Sequence, residues 1–418
     1  MTASTRRTFL RWGLAGAAGT AALGTAGHLI GGHADGPAGA AANQVSPAPT
    51  NQRVLVVVEL GGGNDGLSTL VPYGDGTYHD LRPTLALDGK DLSIWDDHVG
   101  LHQHLGGLEQ FGLAALVGVG ATKPDLSHFE MQSRWWSGHP DGGGSGTGIL
   151  GRFADQLTEN PDDPNAPPLC AVSVTTGPSP AVSAERASTA SVGSADGFGL
   201  IFQGDDQQNA AARRCIERLA GWGVGDERLS GPRGGLTGVL RIADLLTDLP
   251  DAPELAEESE FASQLAFAAQ LIQADAGVRV IHVPMNGGSF DTHDGHRDTH
   301  TENMRLLGTG LEQFMAYLSD QGLTDRVLVA TTSEFGRRAE EHNGGLDHGT
   351  ASTALLLGPV QPGVHGEHPS LRKLDADGNL VATVGFDRYL ATMATWLGID
   401  PAAVYADPTT PLDGLLRV

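Results

Sequence analysis

Four stretches of this 418-residue chain share one format, an apolar run followed by carboxylate, imidazole or hydroxyl side chains. Val54–Leu60 contains Glu59 and breaks into Gly61-Gly62-Gly63-Asn64-Asp65-Gly66. Ala114–Gly120 leads to Ser127-His128-Phe129. Val278–Val283 leads to Gly287-Gly288-Ser289-Phe290-Asp291-Thr292-His293. Val327–Thr332 leads to Ser333-Glu334-Phe335-Gly336-Arg337-Arg338, and a Gly-rich turn then delivers Asp347-His348-Gly349-Thr350. Oxygen and imidazole donors without thiolates suit Zn, Mn, Mg or Ca. Two such ions about 4 Å apart would suit hydrolysis or transfer of a phosphoryl-type group. A hydroxyl at Ser127 could then be the nucleophile.

Each residue also has a plainer reading. Asp65 beside three glycines could close a turn. Ser127 could cap a helix starting at His128, a role compatible with catalysis. Asp291 and His293 alternate as at a strand end and share a face, where they could be surface polar groups. Glu334 could pair with Arg337 or Arg338 at a helix start, and Asp347 and His348 could be loop residues. It is the recurrence at four strand ends that points to a site. Gly144-Ser145-Gly146 loosely matches a nucleophile elbow, but its spacing is wrong and no strand precedes it.

The elements that must position these residues alternate strand and helix. Continuous apolar runs near 54–60, 114–120, 169–174, 278–283, 327–332 and 353–357 read as buried strands. Helical spacing appears near 102–111, 209–219, 236–245, 256–276, 303–321 and 387–397. The expected class is α/β, a mostly parallel sheet with helices on both faces. Ligands of such sheets sit beyond the carboxyl ends of the strands. Residues 54–418 read as one domain, with an insertion or cap near 176–253 and a linker at 43–53.

The net charge of −24 disfavours nucleic acid and anionic lipid as partners. Cys170 and Cys215, the two cysteines, allow one disulfide but no zinc finger. Ser4-Thr5-Arg6-Arg7-Thr8-Phe9-Leu10 resembles a twin-arginine export signal, followed by a weakly apolar stretch and a small-residue cleavage site at Ala40-Ala41-Ala42. Residues 1–42 therefore read as a signal peptide, the twin-arginine translocase as a transient partner, and the mature chain as exported.

Glu59–Ser68, Leu81-Arg82-Pro83, Ser127-His128-Phe129, Phe290–His293, Ser333–Arg337 and Asp347–Thr350 together resemble the bacterial domain-of-unknown-function 1501 family, over roughly residues 50–415. The resemblance implies an alkaline phosphatase/sulfatase-like fold. It matches Glu59 or Asp65 to the first carboxylate and Ser127 to the nucleophile. Asp291 and His293 match the next ligand pair, Glu334 the Asp of an Asp-His pair, and His348 the final His. Phe335 stands at the His of that Asp-His pair, so one or two ions are implied. The expected activity is hydrolysis of a phosphate or sulfate ester. Asp65, Asp291, His293, Glu334, Asp347 and His348 are the expected metal shell, and Arg337 an anion clamp. The alternative is a non-catalytic exported protein that keeps the fold and docks a protein partner.

Overall fold

A computed structural model describes residues 48–143, 146–160, 166–195, 205–223, 230–255, 259–285, 290–405 and 409–417. Residues 1–42, expected to be a signal peptide, most of the expected linker, Gly144-Ser145 and Gly287–Ser289 lie outside them.

Strand β1 is Val54–Glu59 and is followed by the one-turn helix α1, Gly66–Thr69. A small antiparallel sheet comprises β2 (Leu70–Val71), β3 (Leu92–Ile94) and β4 (Gly100–His102), with α2 (Gly76–Leu81) between β2 and β3. The stretch 103–111 is a 3₁₀ helix rather than the expected α-helix. Its glycines, Gly106 and Gly107, disfavour an α-helical interior. Then come β5 (Leu113–Gly120), α3 (His128–Ser137), α4 (Ile149–Leu157), β6 (Ala171–Ser173) and β7 (Thr189–Ser191). Helices α5 (Asp206–Ala220) and α6 (Ser230–Thr247) occupy the expected insertion, and α7 is Glu260–Gln273. The last part holds β8 (Val280–Pro284), α8 (His296–Asp320), β9 (Val327–Thr332), β10 (Ser352–Leu357), β11 (Gly363–His365), β12 (Val384–Gly385) and α9 (Phe386–Trp396).

The main sheet is nine-stranded, in the order β11-β5-β10-β9-β1-β8-β6-β7, with β12 also on β5. Strands β9, β1, β8, β6 and β7 run parallel, while β10 runs antiparallel to β5 and β9. This is the mostly parallel α/β sheet expected from the apolar runs. Side chains of β1 alternate between its two faces, as the period of two requires. Val54, Val56 and Val58 join one core with Leu265 of α7 and Leu307, Leu311 and Phe314 of α8. Leu55 and Val57 join another with Phe153 of α4 and Leu390 and Trp396 of α9. Covering both faces explains why the strands are apolar throughout.

The register puts Glu59 beside Pro284 and Thr332. The loops after β1, β8 and β9 therefore leave the sheet at one edge. The β1 loop passes so close to the β8 loop that a Cβ on Gly62, at φ +112°, would lie 2.5 Å from the Asp291 backbone nitrogen. Only glycine fits there. Cys170 and Cys215 are unpaired, and burial pushes the Cys170 thiol up to about 11. No helix among the described residues is long and apolar enough to cross a membrane.

Candidate metal centre

His128, Asp291 and His348 meet at this edge, each offering a ligand atom within 4.8 Å of the others. His128 is the first residue of α3. Asp291 lies in the loop between β8 and α8. His348 is held in a hairpin by a bridge to Arg337 and by a hydrogen bond from the Gly349 N–H to the Gly336 carbonyl. The expected ligands did not include His128, although its neighbour Ser127 was a candidate. The signal for His128 was its place beside Ser127 after a strand.

Hydrogen bonds fix how the imidazoles present themselves. His128 Nδ1 lies 2.7 Å from Glu334 Oε1, and His348 Nδ1 lies 2.7 Å from the Leu126 carbonyl oxygen. Both partners can only accept, so each Nδ1 carries the proton and each Nε2 of the neutral ring carries a lone pair. His128 Nε2 is a buried atom with no hydrogen-bond partner, 3.5 Å from Asp291 Oδ2. His348 Nε2 faces Asp291 Oδ1 at 3.3 Å. Two imidazole lone pairs and a carboxylate thus point at one small space. Acceptors so arranged repel one another unless a cation or proton sits among them.

His293 and Asp347 lie on the open side. His293 Nε2 is 2.9 Å from His348 Nε2 and 3.2 Å from Asp291 Oδ1, and its Nδ1 is 3.1 Å from Asp347 Oδ1. Phe335 forms the floor, its ring centroid 4.8 Å from that of His128 and 4.7 Å from that of His348. It is buried and packs where a ligand was expected.

Glu334 is almost fully buried and accepts from His128 and from the Gly62 N–H at 2.8 Å, so it orients a ligand. Arg337 is fully buried, and its guanidinium donates to the Gly63 and Leu346 carbonyls at 2.9 Å, to the Gly62 and Phe290 carbonyls, and to Asp291 Oδ1 at 2.6 Å. It braces Asp291 from beneath, which corrects the expectation of an anion clamp. Burial pushes the Asp291 carboxyl up, but Arg337 and the neighbouring histidines hold it below its ordinary value. The Glu334 hydrogen bond raises His128 against the opposing effect of burial. Burial lowers His348.

Ser127 is exposed at the N-cap of α3. Its N–H donates to Asp125 Oδ1 at 2.7 Å, and its hydroxyl makes no capping bond. Asp65 does not join the cluster. It forms a bidentate pair with Arg82, Oδ2–Nη1 2.5 Å and Oδ1–Nη2 2.9 Å, with both side chains buried. His296 lies 3.4 Å from Asp65 Oδ2 and 2.7 Å from the Thr292 hydroxyl. Glu59 is engaged at Oε2 by His282 Nε2 and Trp136 Nε1, each at 2.8 Å. One group of three ligands, not two groups, is found among the described residues.

Fold and cluster define an α/β protein with a carboxylate–imidazole cluster that could hold a cation at the carboxyl edge of a mostly parallel sheet. Within that class, residues 245–413 match the family described as protein of unknown function DUF1501, the family the motifs resemble. No curated protein matches the chain. Among solved structures, the alkaline phosphatase of the Antarctic bacterium TAB5 matches at 11% identity, covering 76% of this chain and 94% of its own, with TM-score 0.31. PsFucS1 sulfatase from Pseudoalteromonas sp. matches at 10% identity over 86% of this chain and 70% of its own, with TM-score 0.35. The C-terminal periplasmic domain of EcEptC from Escherichia coli, in complex with Zn, matches at 10% identity over 89% and 92%, with TM-score 0.35.

Proposed function

We propose that this chain is an exported metal-dependent hydrolase of a phosphate or sulfate ester, with one divalent cation on His128, Asp291 and His348. The observation that carries the proposal is the convergence of the two Nε2 lone pairs and the Asp291 carboxylate, with both Nδ1 protons held elsewhere by Glu334 and Leu126. Mixed nitrogen and oxygen donors fit Zn or Mn better than Mg or Ca, which favour oxygen alone. His293 and Asp347 stand on the open side, where they can complete the shell or meet substrate. Bound there, a divalent cation supplies positive charge that activates a hydroxyl and stabilises a developing oxyanion. Ser127 is the hydroxyl we assign as nucleophile, because it is exposed, uncommitted to capping and adjacent to a ligand. Glu334 keeps His128 in its ligating tautomer, and Arg337 keeps Asp291 in place.

The test is to load the purified protein separately with Zn²⁺, Mn²⁺, Mg²⁺ and Ca²⁺ and assay aryl phosphates and aryl sulfates. We expect one bound ion per chain, turnover lost in Ser127→Ala, and ion binding lost in His128→Ala. Turnover indifferent to Ser127 rejects the nucleophile assignment. One bound ion without turnover favours the second reading, a non-catalytic binding protein; the burial of Phe335 at a ligand position supports it. The export route is part of the proposal and rests on Arg6-Arg7 and the stretch that follows. A reporter fused behind residues 1–42 should stay inside the cell when both arginines become lysine.

A further inference from the structure

Helix α3 carries His128 at its first residue, and its N-terminus has no side-chain cap. Hydrogen bonds to two strand ends seat it on the sheet. His128 Nδ1 meets Glu334 Oε1 at 2.7 Å, and Trp135 Nε1 donates to the Glu334 carbonyl at 3.0 Å. Both bonds reach the loop that leaves β9. Trp136 Nε1 instead donates to Glu59 Oε2 at 2.8 Å, at the end of β1. Successive helical residues turn by about 100°, so two adjacent indoles can reach two neighbouring strands.

Glu59 is itself anchored. His282 Nε2 lies 2.8 Å from the same Oε2, and the Ser173 hydroxyl lies 2.9 Å from His282 Nδ1. Burial pushes the Glu59 carboxyl up, but the bonds from His282 and Trp136 hold it below its ordinary value. The carboxylate can only accept, so Nε2 of the neutral ring carries the proton and Nδ1 accepts from Ser173. This chain crosses the neighbouring strands β1, β8 and β6. Between helix and strand ends lies a cavity of about 30 Å³, lined by Gln132, Trp135 and Trp136 of α3 and by Glu59, His282 and Glu334. Protein interiors are otherwise close-packed, so here directional bonds rather than filled space set where the helix sits.

We infer that Glu59, His282 and Trp136 are positioning residues for the cation site. The Ser173–His282–Glu59 chain holds Trp136, Trp136 holds α3, and α3 presents His128 Nε2 to Asp291 and His348. This deepens the metal-dependent reading proposed above and rests on it. Trp136 lies about two turns, or about 12 Å, along the helix from His128. A change there reaches the cluster through the seating of the helix.

The experiment measures zinc affinity by chelator competition, and the visible spectrum of the cobalt-loaded protein, on the full chain. Trp136→Phe keeps a ring and removes the donor; Glu59→Gln keeps the shape and removes the charge. Each should weaken zinc about tenfold, the low end for groups that orient ligands, and alter the cobalt spectrum. Because they act as one latch, the double variant should lose no more than either alone. Leu265→Ala, in the opposite core, should lower stability and leave both readouts unchanged. Wild-type zinc affinity and cobalt spectrum in either folded variant, or losses that add in the double variant, overturn the inference. Should Trp136→Phe not fold, Glu59→Gln decides by the same readouts. If wild type binds no zinc, the metal reading falls, and the His128 imidazole nitrogen resonances of the metal-free chain decide the latch. They should differ between wild type and Trp136→Phe or Glu59→Gln, and identical resonances overturn the inference.

Discussion

Two clusters of similar composition lie on either side of the loop after β1. In front, His128, Asp291 and His348 are partly open to solvent, and their lone pairs face one another. Behind, Asp65, Arg82 and His296 are sealed, and each has an acceptor or donor to meet it. Arg82 donates to both Asp65 oxygens and to the Ala339 and Arg338 carbonyls, and the Ser68 hydroxyl lies 3.3 Å from His296 Nε2. Burial pushes the Asp65 carboxyl up, but Arg82 and His296 hold it well below the ordinary range. A satisfied cluster of this kind is part of the scaffold. The front cluster leaves His128 Nε2 buried without a partner, which fits a place for a ligand. Residue type does not separate the two; hydrogen-bond completeness does.

The contrast can be broken most sharply from behind. Arg82→Ala leaves the Asp65 charge buried without its partner and should cost about 3–5 kcal/mol of stability, read from denaturant unfolding of the metal-free chain. Asp65→Asn combined with Arg82→Met should recover much of it. A loss under about 1 kcal/mol would show that water reaches the pair and that the rear cluster is not sealed. In front the expectation reverses. His128→Ala, Asp291→Ala or His348→Ala should cut zinc affinity by more than about a hundredfold, beyond the 10–100-fold typical of groups that only orient ligands. Glu334→Gln should fall within that 10–100-fold range, measured by competition with a chelator.

Three buried histidines set a pH dependence: His300 lies beside His296, ring centroids 5.0 Å apart, and beside His102, 6.1 Å apart. Burial is the largest cause of depression for His102, His296 and His300, and it takes His102 to about 4. The unfolded chain binds protons at these residues from its ordinary histidine pKa of about 6.5 downward, before the folded chain does. The stability these three histidines contribute should therefore be constant above pH ~6.5 and fall below it, by up to about 1.4 kcal/mol per pH unit for each histidine. Unfolding curves between pH 7.5 and 5 test this, and a flat profile would refute it. The smallest effect is expected for Asp347→Asn. The mutation weakens the hold on His293 Nδ1, an exposed pair worth about 0–1 kcal/mol, and should change zinc affinity only a few-fold.

Much of the fold was legible because every main strand but the short edge ones reads as a continuous apolar run, and the long helices carry a clear apolar face. The antiparallel course of β10 was not legible, since a buried strand has the same pattern in either direction. Asp291, His293, Glu334, Asp347 and His348 were singled out from their places beyond strand ends, and the structure brings them to one edge of the sheet. The partition of roles was not legible. Asp65 and Asp291 both follow glycine-rich stretches of sequence, and only the fold reveals that Arg82, 17 residues on, reaches the first. Arg337 has the sequence context of a substrate-facing arginine, and its burial depends on carbonyls from loops far away in the chain.

That last dependence bears on when the site comes into being. Arg337 reaches Gly63 across 274 residues and Phe290 across 47, and His128 reaches Glu334 across 206. Closing such loops is the slow, entropically costly part of folding. A nascent chain that has not yet docked its final third on its first strand therefore has none of this ligand geometry, whatever its local secondary structure. A cation held by His128, Asp291 and His348 would act as a seal set on a finished molecule. Loading would then serve as a readout of completed folding.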